Sequence, residues 1–265
     1  MITFIANMKF LSALILLTIL SIKPGTSPGQ TILIETSEIS FENKTRPSLS
    51  ATIDPSTKIV LNAWKKYLQK NFAIKLSVLG MLSNNNLYKA MDVTIPQVSS
   101  KRMNIYTRIL ESGSGSEIKI FASFGYDFFV GAAEFPQEFE ALQKIFNNFL
   151  MEHLNQYYTG ETNTAANEIK SLTSEKVGLL KVIDKNEKQI FKLTDDINIL
   201  NAIQKPTSKD EIKASKKILK LSDKRTRLEN EANNSKISIK LIEEKIVQMD
   251  EKMEKLKLKH KEIVE

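Results

Sequence analysis

Residues 183–197 read IDKNEKQIFKLTDDI, in which Ile183, Ile190 and Ile197 recur every seven residues. The repeat continues through residues 167–265 with one change of phase. Apolar residues at the first and fourth positions of each repeat are typical of coiled-coil helices. Polar residues interrupt this seam and restrict its register and its choice of partner, at a cost in stability: Lys176, Asn186, Arg225, Ser235 and His260.

A proline divides the repeat into two helices. Pro206 inside a helix would cost about 3 kcal/mol or more, and Ser208 with Glu211 forms a capping box that starts a new helix. A short turn between two long amphipathic helices normally folds them back on each other, so residues 161–265 predict an antiparallel helical hairpin. The second helix is the longer one. The apolar residues of its tail are predicted to contact the globular part or a partner: Met249, Met253, Leu256 and Ile263.

Residues 1–29 predict a secretory signal peptide. Lys9 precedes an apolar run at residues 10–22 that is too short to span a bilayer comfortably, and small residues favour cleavage after Gly29. An uncleaved N-terminal anchor is the alternative, and Met8 is an alternative start. The sequence therefore predicts export to a periplasm or the extracellular space, with the membrane contacted only transiently through the signal peptide.

Charge and cysteine content narrow the possible partners. The net charge is +7, but residues 30–161 hold 13 basic and 13 acidic residues, so most of the excess lies in the coil. Alternating charges on a helix are typical of a solvated face, and nucleic-acid binding is not predicted. The chain has no cysteine, which excludes disulfides, thiolate metal sites and cysteine-based catalysis.

Residues 30–160 predict an α+β domain. Asp54 and Pro55 predict the start of an amphipathic helix with Trp64 in its apolar stripe and lysines opposite, and a helix stop is predicted at residues 159–164. A second helix occupies residues 134–158. Between the helices a period of two predicts four strands, at residues 73–79, 87–95, 103–110 and 117–124.

The links between these strands are short, and that between the last two is the loop at residues 112–116, SGSGS. Short links favour an antiparallel sheet, with both helices on one face. A further short strand is predicted at residues 31–35. The predicted fold is thus a four-stranded antiparallel sheet with two helices on one face, followed by a long antiparallel α-helical hairpin.

An aromatic cluster at the end of the last strand is the candidate ligand site. A glycine within it would permit a bulge or a close approach of ligand to backbone, although a packed core is the common alternative. The predicted ligand-binding residues are Phe121, Gly125, Tyr126, Phe128 and Phe129.

Catalytic motifs are absent from the sequence, which has no glycine-rich phosphate loop, nucleophile elbow, zinc-protease motif or metal-spaced cluster. His153 is one of two histidines and lies on an apolar helix face, where a packed residue is the usual case. Carboxylates near strand ends show no spacing that indicates acid–base work: Asp92, Glu111, Asp127 and Glu134. We predict a non-enzymatic protein without cofactor or metal.

Together these patterns indicate an exported interaction or scaffold protein. Its α+β head would bind a protein partner, and its coil would act as a spacer or an oligomerisation element through which the chain can self-associate. A holdase-type chaperone with helical arms and a carrier of apolar ligands are the alternatives.

Overall fold

An antiparallel sheet and three helices make up the computed structural model, which describes residues 34–79, 86–202 and 208–264. The strands are β1 Glu35–Phe41, β2 Lys44–Ile53, β3 Ser77–Val78, β4 Leu87–Ile95, β5 Ser99–Ser112 and β6 Gly115–Ser123. The helices are α1 Thr57–Phe72, α2 Pro136–Asn201 and α3 Ser208–Val264. The sheet order is β1-β2-β6-β5-β4-β3, and every neighbouring pair is antiparallel. The predicted signal peptide, Pro206 and the side chain of Ser208 lie outside the described residues.

The α+β class and the antiparallel sheet are confirmed, but the count of four strands is wrong. The structure adds a hairpin of β1 and β2, whose two-residue turn places Glu42 and Asn43 at φ 53° and 59°. Two successive left-handed residues are typical of a type I′ hairpin turn. The segment at residues 73–79 forms only the short β3 after Ala73, at φ 57°, ends α1.

One face of the sheet carries the main core, because α1 and the first part of α2 pack on it. Trp64 is fully buried there and donates a hydrogen bond from Nε1 to Thr107 Oγ1 at 2.8 Å. Its ring centroid lies 4.7 Å from that of Phe149 on α2. This tryptophan therefore ties both helices to β5 and is not available for stacking on a ligand.

The helix stop predicted at residues 159–164 is wrong, because α2 continues without a break to Asn201. Gly160 lies inside the helix, and Thr164 Oγ1 donates to the Gly160 carbonyl at 2.9 Å. A glycine inside a helix costs only about 1 kcal/mol relative to alanine. That cost is small beside the packing of α2 on the sheet and on α3. The proposed division at residue 160 stays a prediction, and no helix end marks it.

The two long helices pack against each other in opposite directions. Ion pairs join Glu187 to Lys236 at 3.0 Å and Lys176 to Glu243 at 2.7 Å. From the first pair to the second, the residue number decreases on α2 and increases on α3, so the helices are antiparallel. All predicted seam positions from 169 to 200 and from 218 to 263 are buried or partly buried. The seven-residue repeat thus located the seam in both helices.

The tail of α3 returns to the head, and two of its four predicted contact residues, Leu256 and Ile263, contact the core of the same chain. Ile263 is buried within the main core cluster, and Leu256 packs against it. Lys252 pairs with Glu161 at 3.2 Å, and His260 contacts Asn155 Oδ1 at 2.5 Å. Leu256 and Ile263 thus pack on the globular part, and the partner contact predicted for the tail stays a prediction.

Asp54 joins the tail to the head. It lies two residues before the N-cap of α1, Ser56, and its Oδ2 atom accepts hydrogen bonds from Tyr158 Oη at 2.6 Å and Lys259 Nζ at 2.5 Å. Burial alone would raise the pKa of Asp54, but hydrogen bonds from Lys259 and Tyr158 and the charge of Lys259 hold it below its usual value. This carboxylate connects the β2–α1 link, α2 and α3.

Replacing Asp54 with Asn should therefore loosen the tail. We expect a loss of about 1–3 kcal/mol in the free energy of unfolding, because charge-assisted hydrogen bonds are lost. A lowered carboxylate pKa contributes stability that is present at neutral pH and is lost as pH falls through the folded-state pKa, so D54N should also flatten the acid limb below about pH 4. Urea denaturation across pH measures both effects.

Asp92→Asn is the matched control for this substitution. Asp92 pairs with Arg102 on the surface, and Asn tolerates its positive φ of 57°. We expect D92N to change the unfolding free energy by less than about 0.5 kcal/mol. Equal effects of D54N and D92N would contradict the role given to Asp54, as would unchanged hydrogen exchange in residues 252–263 of D54N.

Candidate functional site

A groove of about 510 Å³ runs between α1 and α2 and forms the candidate binding site. Its lining combines apolar, amide and charged side chains: Ile59, Asn62, Ala63, Lys66, Tyr67, Lys70, Phe149, Glu152, His153 and Gln156. An apolar floor with a few polar groups around it is typical of a binding site. We call this feature the α1–α2 groove.

Helical spacing explains how the groove forms. On α1 the buried residues are Val60, Trp64 and Leu68, and the next stripe round the helix, which includes Ile59 and Ala63, faces the groove. Ala63 is small, so it leaves space where a larger side chain would fill the gap between the helices. The matching stripe on α2 recurs at steps of three and four residues and contributes the remaining wall.

His153 lies in the groove wall and is 8% exposed. Its ring stacks on that of Phe149, with centroids 5.5 Å apart and planes 7° from parallel. Nε2 is buried and has no hydrogen-bond partner among the described residues. Burial disfavours the charged imidazolium and lowers the pKa of His153 to about 4. At neutral pH the groove therefore holds a neutral imidazole with an unused hydrogen-bonding atom.

The carboxylate next to His153 in the chain is engaged elsewhere. Glu152 accepts a hydrogen bond from Lys70 Nζ at 3.1 Å. Burial and the charge of Glu152 raise the pKa of Tyr67, whose hydroxyl donates to the Ile145 carbonyl at 3.4 Å. These groups offer hydrogen bonds and charge to a bound molecule, without the base-and-orienting-group arrangement of a catalytic relay.

Lysines lie along the α1 side of the groove, and Glu152 lies on its α2 side. The sequence of α1, TKIVLNAWKKYLQKNF, contains four lysines and no acidic residue. A second concavity of about 640 Å³ adjoins the groove through Lys66 and Lys70 and adds Lys65 and Lys75. The lysines opposite the apolar stripe of α1 were interpreted from sequence as a solvated face. Lys58, Lys66 and Lys70 are exposed, in agreement with that prediction, and Lys66 and Lys70 also line the groove.

The predicted aromatic ligand residues are not brought to one pocket. Phe121 and Phe129 are buried in a second cluster, on the sheet face opposite the helices, where their ring centroids lie 6.2 Å apart. Tyr126 is 96% exposed and Phe128 is 62% exposed, and no neighbouring atom lies within 4 Å of a Cβ built on Gly125. The ligand role of these residues stays a prediction.

The second cluster is packed with its own side chains. Phe41 and Tyr106 approach with centroids 4.8 Å apart, and the Arg46 guanidinium lies 4.2 Å from the centroid of Phe129. Asp127 pairs with Arg46 at 2.6 Å and with Lys44 at 2.5 Å. Hydrogen bonds from Lys44 and Arg46 lower the pKa of Asp127. This carboxylate thus stays ionised and holds the Arg46 side chain over the ring.

The other carboxylates singled out from sequence do not converge. Asp92 pairs with Arg102, while Glu111 and Glu134 are exposed. Within the described ranges no group of three His, Asp or Glu side chains could hold a metal ion. In the same ranges no helix is both long and apolar enough to cross a bilayer.

Sequence reasoning identified His153 but missed the groove around it. The sequence of α1 contained an indication of the groove, because its polar positions after Thr57 are mostly lysine and amide residues and none is acidic. Neither a family model, nor a curated protein, nor a solved structure matches the chain.

The lowered pKa of His153 predicts a pH-dependent stability. The unfolded chain takes up this proton near pH 6.5 and the folded protein near pH 4, so stability is full above about 6.5 and falls as pH decreases toward 4. Over this range the free energy of unfolding changes by up to about 1.4 kcal/mol per pH unit. His153→Phe keeps the stack on Phe149 and should flatten the unfolding free energy over this range.

His260 is the second histidine and serves as the control. We expect His260→Asn to leave the dependence between pH 4 and 6.5 in place, because the groove histidine is unchanged. Chemical denaturation at several pH values measures both variants. If the unfolding free energy of H153F depended on pH as strongly as that of the wild type, the pH dependence could not be assigned to His153.

Proposed function

We propose that this protein is an exported, non-enzymatic interaction protein. Its α+β head binds an acidic, amphipathic protein segment in the α1–α2 groove. Its paired long helices form a coiled-coil hairpin that acts as a spacer and an oligomerisation element. The observation that carries the proposal is the groove itself, which has an apolar floor, a neutral buried imidazole and a lysine-rich border.

The chemistry of the groove supports a helical segment as the bound partner. The two walls of side chains from α1 and α2 suit an amphipathic helix, which would place apolar side chains near Phe149 and Ile59. Acidic residues on the flanks of that helix would meet Lys66, while the His153 Nε2 atom would find a polar group. A neutral apolar ligand would leave the surrounding lysines without a role.

The continuity of α2 supports the spacer. The helix is buried in the head from Phe139 to Tyr158, and beyond Ala165 its buried residues are seam residues facing α3. About forty residues of helix extend past that point, or about 60 Å at 1.5 Å per residue. Because the same helix lines the groove, the hairpin has a fixed attachment to the binding surface.

Site-specific cross-linking tests the groove. A photo-activatable side chain at Asn62 in the full chain should give a defined adduct in extracts of the native cell, because Asn62 lines the groove. The same probe at exposed Glu111 should not give that adduct. Ala63→Trp should abolish the Asn62 adduct by filling the space between the helices. An adduct that survives A63W would contradict the proposed site.

Charge reversal tests the chemistry of the partner. Lys66→Glu should weaken binding of the cross-linked partner by about tenfold, equivalent to about 1.4 kcal/mol, because it places like charges together. Lys58→Glu is the matched control on the same helix, since Lys58 does not line the groove. Equal weakening by both variants would indicate a general charge effect and would contradict an acidic segment in the groove.

A holdase-type chaperone is the second candidate, favoured by exposed apolar residues on the hairpin. Phe191 is 76% exposed, and Leu219 on the facing helix is 63% exposed. Such residues among lysines could hold unfolded clients. The full chain would then suppress aggregation of a reduced model protein, and Phe191→Ser would remove that activity. No protection by the wild type would eliminate this candidate.

A further inference from the structure

The sheet of the head has two edges, and one of them is irregular. At that edge β3 covers only two residues of β4, Tyr88 and Lys89. The pairing of β4 with β5 shifts register twice after Ala90, and Asp92 lies within the first shift at φ 57°. Irregularities of this kind twist an edge and hinder the addition of another strand. The β4 edge is therefore protected.

β1 forms the opposite edge, and its pairing is regular throughout. All seven of its residues pair with β2 in one register, from Glu35 opposite Ser50 to Phe41 opposite Lys44. Its sequence, ETSEISF, contains no proline, glycine or lysine. Among the residues that the structure describes, β1 has no strand on its outer side. This edge thus lacks the bulge, proline and lysine that commonly protect an edge strand.

The turn between β1 and β2 shows which backbone groups face outward. In a two-residue turn the carbonyl before the turn accepts a hydrogen bond from the amide after it, so Phe41 and Lys44 form a hydrogen-bonded pair. Such pairs alternate with non-hydrogen-bonded pairs along an antiparallel ladder. The residues in non-hydrogen-bonded pairs, whose N–H and C=O groups point away from β2, are Thr36, Glu38 and Ser40.

Pro47 agrees with this assignment. It lies opposite Glu38, and it has no N–H group to donate to β1. A non-hydrogen-bonded pair requires no such donor, so the proline does not interrupt the ladder between β1 and β2. The three outward-facing residues of β1 are all exposed. Three donors and three acceptors of the backbone are therefore accessible along one straight edge.

The charged side chains on this edge are acidic. Glu35 and Glu38 are exposed, and because they are three residues apart they lie on opposite faces of the sheet. Their neighbours on β2 are Ser50 and Pro47, so neither glutamate faces a base. Glu42 adds a third exposed acid in the turn that follows. The edge therefore presents negative charge on both faces.

The bases of β2 do not neutralise this charge, because another carboxylate engages them. Lys44 and Arg46 are the only bases of β2, and both pair with Asp127. Arg46 is also held over the ring of Phe129. The acids of β1 thus remain available to a base from outside the sheet.

We propose that the β1 edge binds an extended, basic segment of another protein, which adds to the sheet as a seventh strand. The outward-facing backbone groups of β1 supply the hydrogen bonds, as in other cases of strand addition. The segment carries lysine or arginine at two positions three residues apart. One base then meets Glu35 on one face, and the other meets Glu38 on the opposite face.

Charge favours this occupant over a second copy of the chain. Pairing between two β1 edges would bring four glutamates together, and β1 contains no base to offset them. Like charges on neighbouring strands are destabilising. The acids thus hinder pairing with an identical edge and favour a basic strand.

The β1 edge is a second binding surface and does not depend on the α1–α2 groove. The groove is lined by helix residues alone, and its lysines select acidic groups, whereas the edge selects basic ones. Filling the groove by Ala63→Trp should therefore leave binding at the edge unchanged. Loss of binding in A63W would place the segment in the groove and overturn the inference.

A synthetic peptide tests the edge of the full chain. The probe is a labelled nine-residue peptide of threonine and valine with lysines at its third and sixth positions. We expect saturable binding by fluorescence anisotropy and slower hydrogen exchange in residues 36–40. The same peptide with glutamates in place of the lysines should bind at least tenfold more weakly, about 1.4 kcal/mol or more. No saturable binding at millimolar lysine peptide, or equal binding of both peptides, would overturn the proposal.

Backbone methylation of the probe tests strand pairing without changing the protein. Two peptides carry N-methyl groups on alternate residues, one at the odd and one at the even positions. Because only alternate residues of an added strand direct their N–H groups at β1, one peptide should lose binding and the other should keep it. Equal behaviour of the two peptides would exclude strand addition.

Substitutions of β1 test the same contact from the protein side. Glu38→Lys should weaken binding of the lysine peptide about tenfold, equivalent to about 1.4 kcal/mol. Glu111→Lys is the matched control, since Glu111 is an exposed glutamate on β5, which has a strand on each side. Equal weakening by both variants would indicate a general charge effect and would overturn the proposal.

Glu38→Pro removes one outward N–H group and leaves the hydrogen bonds to β2 in place. We expect this variant to lose the lysine peptide and to keep the wild-type circular dichroism spectrum. Binding at wild-type strength in folded E38P would overturn the proposal. Sedimentation equilibrium of the protein alone identifies the other possible occupant. A dimer that E38P dissociates would show that a second copy takes the edge, which would also overturn it.

Discussion

The structure depends on one helix that serves two cores. In the head, α2 buries a broad face against the sheet and α1, including Phe146 and Leu150, whereas in the hairpin it buries a narrow seam against α3. A broad face suits a sheet and a narrow seam suits one partner helix. Since no break separates the two parts, movement of the hairpin against the head requires α2 to bend.

The hairpin is attached to the head in two ways, through the continuous helix α2 and through the tail of α3. The two attachments differ chemically. Ile263 reaches the main core, but the surrounding contacts are polar and centre on Asp54. Asp54 accepts hydrogen bonds from both Tyr158 and Lys259. It therefore fixes the orientation of the tail as well as its position, because each donor must point at the same oxygen. The hairpin is therefore attached to the head by a continuous helix, α2, on one arm and by a pH-sensitive polar contact of α3 on the other.

The sequence predicted the long helices, whose apolar residues repeat, and missed the hairpin of β1 and β2. Heptad spacing located the seam from Ile169 to Ile263, since every residue in it repeats the same environment. The hairpin of β1 and β2 was missed because Pro47 and the serines around it do not indicate a strand. Pro47 is tolerated because it pairs only with Glu38, outside the part of β2 that also contacts β6.

Tertiary contacts decided the remaining differences. Gly160 and its polar neighbours are typical of a helix end, but the packing of α3 beside them continues the helix. Likewise, Asp54 before a proline is a typical N-cap, yet residues 104 and 205 positions later in the chain supply its partners. The groove was hidden for the same reason, because its walls come from two helices whose spacing no single stretch of sequence records.

The use of the α3 tail within the chain also changes where a partner can bind. Leu256 and Ile263 contact the head and are therefore not available to a partner, whereas Phe191 on the hairpin and Ile59 beside the groove remain exposed. These two surfaces differ in charge. The groove is bordered by lysines, whereas the side of the hairpin bearing Phe191 is mostly uncharged near the turn. The acidic segment that we propose as partner is therefore matched in charge by the groove and not by this side of the hairpin.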